Sequence, residues 1–212
     1  MFSILAIGVC GRDLNGCWND VKTFKRLMIN AGLAKRPGDI IALLDRPEAE
    51  SQYRPTLDNI NARTHYTHKV IYLSGHGSGQ HRALCLTDGY LPFVSLHNHH
   101  PRLVIFDCCH SGNAMLLQWS YNRETCAWCP NTNYVETTQP LITLSSCSES
   151  EQSSDIRPYK GKAGGVFTQC LFRATRGGKD FLRFTIADLA KHAVINSSIE
   201  LDTDTTMGMY VS

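Results

Sequence analysis

Residues 102–112 read RLVIFDCCHSG, and this stretch decides the fold prediction because it joins an apolar run to a group of reactive side chains. The run Leu103–Phe106 has the length and unbroken apolar character of a buried strand, and Gly112 marks a turn after it. An acid, two adjacent thiols and an imidazole follow the strand directly. A purely structural core needs none of these groups at a strand end, so we interpret the stretch as part of a functional site.

Similar patterns recur along the chain. Further apolar runs bounded by turn residues predict strands at Phe2–Val9, Ile40–Leu44, Val70–Leu73, Leu141–Leu144 and Met207–Val211. Helical spacing predicts helices from Asp20 to Gly32, from Pro55, after Cys109, from Gly165 to Arg173 and from Thr185 to Val194, the last with a capping box formed by Thr185 and Asp188. The alternation predicts an α/β fold with helices around a mostly parallel sheet of about six strands. Two stretches without periodicity, 119–139 and 146–164, are predicted as long loops.

Length and charge limit the classes of protein to consider. A chain of 212 residues fits one domain, which we take as residues 1–212. Charged residues make up 19% and the formal net charge is +2, so no broad charged surface for nucleic acid or an anionic membrane is expected. The N-terminal MFSILAIGVCGRD is interpreted as a first core strand and not as a signal peptide. We expect a cytoplasmic monomer.

The cysteine count agrees with a reducing compartment. The chain has nine cysteines, an odd number, and two of them are consecutive. A disulfide scaffold is usually shorter and evenly paired, so reduced thiols are predicted.

A second strand end carries an imidazole. Val70–Leu73 leads into Ser74, Gly75, His76 and Gly77. In an open α/β sheet, ligands bind beyond the carboxyl ends of the strands, so His76 and the cysteine pair converge if the two strands are neighbours. That arrangement is typical of a thiol nucleophile beside its base. Taken alone, each has an ordinary structural interpretation, a small buried thiol or a loop histidine.

The glycines around these residues support the same interpretation. Gly75 and Gly77 let the backbone turn tightly around His76 and direct an N–H group at a developing oxyanion. A helix starting near Gly112 would favour a thiolate through its N-terminal dipole.

The blocks YLSGHGSGQ (72–80) and FDCCHSG (106–112) resemble the two signature blocks of metacaspases, the caspase-related cysteine peptidases. The usual caspase block has glycine two places after the nucleophile and is not matched. Agreement extends to LNGCWNDV, PTLDNI, LSSCSESEQSSD, GGVFTQCLFRA and MGMYVS, which are similar to further metacaspase segments, the last to the closing strand. The resemblance implies a caspase-like three-layer sandwich with a large-subunit-like part (1–122), a linker (123–139) and a small-subunit-like part (140–212).

The resemblance also implies roles for single residues. It makes Cys109 the nucleophile, with Cys108 packed away, and His76 the general acid/base. The backbone N–H groups of Gly77 and Cys109 would form the oxyanion hole. The primary specificity pocket would be lined by Asp20, Asp107, Ser74 and Cys17.

The pocket has a physical interpretation of its own. Two carboxylates in one pocket repel each other and are costly to desolvate unless a cation joins them, and a guanidinium satisfies both with directional hydrogen bonds. The expected substrates are therefore proteins or peptides with Arg or Lys before the scissile bond. By itself, Asp20 could equally be an acid at a helix N-terminus.

Three other features of the sequence give weaker predictions, for calcium, autocleavage and zinc. Asp88 is the single acid where relatives often carry an acid-rich calcium loop, so no required cofactor and weak or absent calcium dependence are predicted. Arg123, Lys160 and Lys162 are candidate autocleavage sites, or ordinary solvated charges. Cys126 and Cys129 in CAWC could supply half of a zinc site with HNHH (97–100), form a labile disulfide, or remain free loop thiols.

Two other functions remain open from the sequence. One is a noncatalytic interaction module that retains the fold, and the other is a zinc-stabilised binding domain. Cleavage after Asn or Asp, as in other caspase relatives, is disfavoured by the acidic pocket.

Overall fold

The computed structural model describes residues 3–11, 13–14, 16–63, 68–153, 155–156 and 164–211. Its strands are β1 (Ser3–Gly8), β2 (Ile40–Leu44), β3 (His68–Gly75), β4 (Gly77–Ser78), β5 (Ala83–Cys85), β6 (Tyr90–Pro92), β7 (Leu103–Cys108), β8 (Trp119–Asn122), β9 (Ala127–Pro130), β10 (Ile142–Ser145), β11 (Asp155–Ile156), β12 (Gly164–Gly165) and β13 (Val194–Ser197). The α-helices are α1 (Cys17–Asn30), α2 (Leu57–Asn61), α3 (Val166–Ala174), α4 (Ile186–Leu189) and α5 (Met207–Val211). Single 3-10 turns cover Pro37–Asp39, Ser51–Tyr53 and Phe181–Arg183, and a longer 3-10 segment covers Phe93–His99.

A central sheet of eight strands organises the described part of the chain, in the order β2-β1-β3-β7-β10-β13-β8-β9. The first five strands are parallel, and the last three join antiparallel. Separate buried clusters cover the two faces, which gives the predicted three-layer sandwich. The fold prediction is confirmed, although the sheet has more strands than the six expected.

Alternation along β3 shows how the sequence forms both layers. Val70 and Tyr72 belong to one cluster, and Ile71 and Leu73 belong to the other. On the first face, the ring of Phe24 from α1 stacks on Tyr72 with 4.4 Å between centroids. Burying both faces of a strand in this way is typical of a parallel sheet between helices.

The strand ends that carry chemistry lie side by side. β3 pairs with β7 in parallel, with Gly75 opposite Cys108, and β1 pairs with β3 with Gly8 opposite Ser74. The predicted neighbourhood of the two strands is therefore correct. Because the three strands end at one edge, the residues that follow them reach the same region.

The helix predicted after Cys109 is absent from the described residues, which form turns there. His110, Asn113 and Leu116 have positive φ angles of 55°, 40° and 53°, which a right-handed helix does not permit. Asn113 Oδ1 also accepts a hydrogen bond from the Leu117 N–H at 2.7 Å, a local bond that competes with helix formation. The helix dipole that was expected to favour a thiolate is therefore not supplied by the residues that follow Cys109.

The predicted closing strand Met207–Val211 is also wrong, because these residues form helix α5. Met207, Tyr210 and Val211 are its buried side chains, and this i, i+3, i+4 spacing is that of a helix face. A short apolar run does not distinguish a buried strand from a buried helix.

The stretch 119–139, predicted as a loop, contains the β8–β9 hairpin, so part of the expected linker belongs to the sheet. Its strands hold together through the rings of Tyr121 and Trp128, whose centroids lie 5.3 Å apart. The Trp128 indole N–H also donates to the Leu201 carbonyl at 2.7 Å. These contacts form only in the folded chain.

The remaining helix predictions hold with shifted bounds. Helix α1 begins three residues before Asp20, and α2 begins after Thr56, which caps it. The capping box of α4 is confirmed, because Thr185 accepts from the Asp188 N–H and Asp188 from the Thr185 N–H. The helix then ends early and the chain enters β13. No helix in the described residues is long and apolar enough to cross a membrane.

Candidate active site

A cleft of about 340 Å³ opens beyond the carboxyl ends of β1, β3 and β7. All seven residues that the resemblance implicates in catalysis or specificity line this cleft: Cys17, Asp20, Ser74, His76, Gly77, Asp107 and Cys109. Leu14, Gly75, His110, Gln152, Ser153 and Gly165 complete the lining. The sheet edge thus collects in one place residues that lie far apart in the sequence.

His76 follows β3 directly and is partly exposed. Its Nε2 lies 2.8 Å from Oδ1 of Asp13, which belongs to the loop after β1. This contact pairs an imidazole with a carboxylate, and the hydrogen bond and charge of His76 lower the pKa of Asp13. Asp13 was not predicted as a site residue, because its one sequence signal is its position after a strand that neighbours β3.

The two adjacent cysteines have different surroundings. Cys109 is half-buried at the cleft, and its thiol donates to the Ser153 carbonyl at 3.8 Å. Cys108 is 1% exposed, and burial together with the neighbouring Asp107 carboxylate raises its pKa well above the usual range. A raised pKa keeps Cys108 in the unreactive thiol form. Of this pair, Cys109 is the thiol that a molecule in the cleft can meet.

The backbone at Gly77 packs tightly on Cys109. A Cβ atom at position 77 would collide with the Cys109 carbonyl oxygen and lie 3.2 Å from its nitrogen. Only glycine permits this approach. The tight packing keeps the backbone next to His76 against the backbone of the reactive thiol.

Two buried carboxylates lie in the cleft, and neutral donors hold both. Asp20 is 1% exposed and accepts from the Gly165 N–H at 2.9 Å and the Ser74 hydroxyl at 3.2 Å. Asp107 is 5% exposed. One of its oxygens accepts from the Ser153 hydroxyl at 3.2 Å. Charged groups tolerate burial when hydrogen bonds replace lost water, so these donors hold the acids in place.

The second Asp107 oxygen is held by Thr168 on α3, a residue that the sequence analysis did not identify. The Thr168 hydroxyl lies 2.6 Å from this oxygen, and it also lies 2.6 Å from the Tyr72 hydroxyl. Burial, with smaller contributions from Asp107 and Asp20, raises the pKa of Tyr72, so its hydroxyl stays neutral. Gly165 also packs directly against Asp107, because a Cβ at position 165 would collide with the Asp107 carboxylate.

Cys17 lies at the start of α1 with its thiol in the cleft wall. Its hydrogen bond with Cys10 and its burial raise its pKa. It therefore contributes a neutral thiol beside the acids.

The weaker predictions that fall on described residues lie outside the cleft. Asp88 accepts hydrogen bonds from the Leu57 N–H at the start of α2. Cys126 and Cys129 are exposed free thiols in the β8–β9 hairpin, and the exposed Arg123 is the first residue of its turn. Lys160 and Lys162 lie outside the described residues.

The HNHH stretch lies in and just after the Phe93–His99 segment. His97 Nε2 contacts the Met115 carbonyl at 2.9 Å, and His99 is buried with its ring 5.5 Å from that of His68. Among the described residues, no three His, Cys, Asp or Glu side chains are grouped so that they could hold a metal ion.

Comparison with known proteins identifies the family of the chain. Residues 5–196 match the family model of the caspase domain, peptidase family C14. Metacaspase-1 of Plasmodium falciparum (isolate 3D7) is 25% identical over 185 residues, covering 72% of this chain and 30% of that protein. The chain thus spans less than a third of the relative's length. The family match shows that the chain belongs to the caspase-domain family of cysteine peptidases, family C14, and is metacaspase-like.

Proposed function

We propose that the chain is a cysteine endopeptidase that hydrolyses peptide bonds after Arg or Lys through a dyad of Cys109 and His76. One observation carries the proposal: the thiol, the imidazole and two buried carboxylates line the same cleft. A thiol beside an imidazole supports nucleophilic catalysis, and carboxylates in the same cleft select a cationic side chain.

The reaction begins when His76 takes the proton of Cys109. The thiolate attacks the carbonyl carbon of the scissile bond, and the carbonyl oxygen gains the negative charge. His76 then gives its proton to the leaving amine as the C–N bond breaks and a thioester remains. Water, losing a proton to His76, attacks the thioester and releases the acid product while the thiol is restored.

Backbone N–H groups of Gly77 and Cys109 are the proposed donors to the oxyanion. Support comes from the close packing of the two backbones, which keeps position 77 fixed relative to the thiol. Hydrogen-bond donors that already point to the position of the oxyanion before the reaction commonly contribute much of the rate of acyl transfer.

Asp20 and Asp107 are the proposed specificity acids, with Ser74 and Cys17 beside them. A bound guanidinium or ammonium lowers the repulsion between the two carboxylates. Arg is expected to be preferred over Lys because its planar group donates to both acids at once. Neutral or acidic side chains, including Asn and Asp, would leave the charges uncompensated.

We further propose that the enzyme acts as a cytoplasmic monomer on protein or peptide substrates and requires no metal. Weak or absent calcium dependence follows from the chemistry of the sequence, which offers Asp88 where relatives often have several acids. The Asp88 carboxylate is engaged by a backbone N–H, which supports a structural role for it.

The test uses fluorogenic peptides that end in Arg, Lys, Asp or Asn before the reporter group. Wild type is compared with Cys109→Ala and, as a matched control, with Cys108→Ala. We expect cleavage after Arg and Lys by wild type and by the Cys108 variant, and loss of at least about a thousandfold in Cys109→Ala. Equal cleavage by Cys109→Ala would remove the nucleophile assignment, and a preference for Asp would remove the specificity assignment. A folded wild type that cuts no peptide would favour the noncatalytic alternative.

A further inference from the structure

The contact between His76 and Asp13 has no role in the proposed dyad. It joins Nε2 of the imidazole to Oδ1 of the carboxylate over 2.8 Å and connects the loops after β1 and β3, which are adjacent strands of the sheet. Both side chains are accessible: 42% of His76 and 74% of Asp13 are exposed. The contact therefore lies at the rim of the cleft.

The chemistry of the pair fixes where the imidazole carries a proton. An ionised carboxylate only accepts hydrogen bonds, so Nε2 must be the donor. His76 lowers the pKa of Asp13, which keeps the carboxylate ionised at neutral pH. In the neutral imidazole the basic nitrogen is then Nδ1. A carboxylate that holds one ring nitrogen selects the tautomer and ring orientation in which the other nitrogen can act as base.

The same contact places a negative charge beside the ring. Each catalytic cycle passes through an imidazolium, and a negative charge within hydrogen-bond reach stabilises it. The exposure of both groups limits this effect, because water and salt screen accessible charges. Asp13 is therefore expected to stabilise the imidazolium moderately, and much less than a buried carboxylate would.

We propose that Asp13 is a positioning residue for His76, which holds the imidazole by Nε2 and stabilises its charged form next to the Cys109 thiolate. The inference rests on the proposed function for its catalytic meaning. Its chemistry can be measured without any substrate.

Other titratable residues line the cleft or hydrogen-bond to the His76 backbone, and they are the same in every variant. They are Cys17 and Asp20 on α1, Cys85 on β5, and Asp107, Cys109 and His110 at the end of β7. A difference between Asp13 variants therefore reports the carboxylate at position 13.

The experiment measures alkylation of Cys109 by iodoacetamide as a function of pH, read from the modified peptide by mass spectrometry. The full chain is used as wild type, Asp13→Ala and Asp13→Asn, with Asp204→Asn as an exposed acid outside the cleft. At about pH 6.5 we expect Asp13→Ala to react roughly three- to tenfold more slowly, because less thiolate–imidazolium pair forms. Near pH 9.5 the rates should converge, since the thiol ionises without the imidazolium. Asp13→Asn keeps an acceptor without charge and should recover part of the loss.

Two results would overturn the inference. One is Asp13→Ala reacting like wild type and Asp204→Asn at pH 6.5. The other is a reduction by the same factor at every pH, which indicates a structural effect alone. Peptide cleavage by wild type is measured in parallel. If no peptide is cut while the pH-dependent difference persists, the proposed function fails and the role of Asp13 toward His76 stands.

Discussion

Thr168 donates two hydrogen bonds to a single oxygen of Asp107, one from its backbone N–H at 3.2 Å and one from its hydroxyl at 2.6 Å. The acid on β7 is thereby tied to the first turn of α3. The hydroxyl also contacts the buried Tyr72 hydroxyl, so it connects Asp107 to the core.

Thr168→Val is expected to lower the free energy of unfolding by about 1–3 kcal/mol, because it leaves two buried polar groups short of a partner. Urea unfolding measures this. Thr143→Val is the matched control: Thr143 is also fully buried, but its hydroxyl has no hydrogen-bond partner among the described residues. Thr143→Val should leave the free energy of unfolding unchanged or raise it. Equal losses in both variants would show that the Thr168 bonds contribute nothing specific.

Asp20→Asn and Asp107→Asn should each weaken cleavage after Arg by about 2–4 kcal/mol, which is roughly 30- to 900-fold in kcat/KM. Each change removes a charge from the site of the basic side chain while nearly preserving shape. Asp88→Asn, outside the cleft, should leave kcat/KM unchanged. Unaltered cleavage in both cleft variants would exclude these acids from specificity.

Gly77→Ala should reduce kcat/KM by about a hundredfold or more and lower stability by about 1–3 kcal/mol, because the added methyl group collides with the Cys109 backbone. Thermal unfolding and peptide kinetics measure the two effects. Gly38→Ala provides the comparison, since a Cβ there meets nothing within 4 Å. A fully active Gly77→Ala enzyme would contradict the tight packing.

Alkylation should distinguish the adjacent thiols. Because burial raises the pKa of Cys108, its thiol stays protonated through neutral and mildly alkaline pH, whereas Cys109 meets the cleft. Iodoacetamide at about pH 7.5 should label Cys109 at least tenfold faster than Cys108 in the folded protein. In urea the two rates should become similar. Faster labelling of Cys108 in the folded state would reverse the assignment.

Calcium is expected to change kcat/KM by less than about twofold between excess chelator and millimolar calcium, because a calcium site commonly needs six or more oxygen ligands. The comparison uses wild type and Asp88→Asn. A large activation lost in Asp88→Asn would show that Asp88 is part of a calcium site after all.

The parallel half of the sheet was predictable because its strands are apolar on both faces, as Val70–Leu73 and Leu103–Phe106 are. The antiparallel half was not. The β8–β9 hairpin depends on the Tyr121–Trp128 contact, which no local pattern encodes, and the turns after Cys109 depend on side-chain bonds of Asn113.

The site was predictable where residues follow strands directly, as His76 and Cys109 do, and the structure places them in one cleft. Their roles remain predictions. Asp13 and Thr168 were missed because their importance depends on tertiary contacts with His76 and Asp107. An acid in a loop and a threonine in a helix carry no distinguishing local signal.

The hydrogen bonds to Asp20 and Asp107 also bear on the order in which the site is completed during synthesis. His76 and Cys109 leave the ribosome well before Gly165 and Thr168, which hold Asp20 and Asp107 in place. A nascent chain that has emerged only through β10 carries Cys109 and His76 but lacks Gly165 and Thr168, which donate to the two acids. On the proposed function, selective cleavage after a basic residue therefore becomes possible only once α3 has emerged.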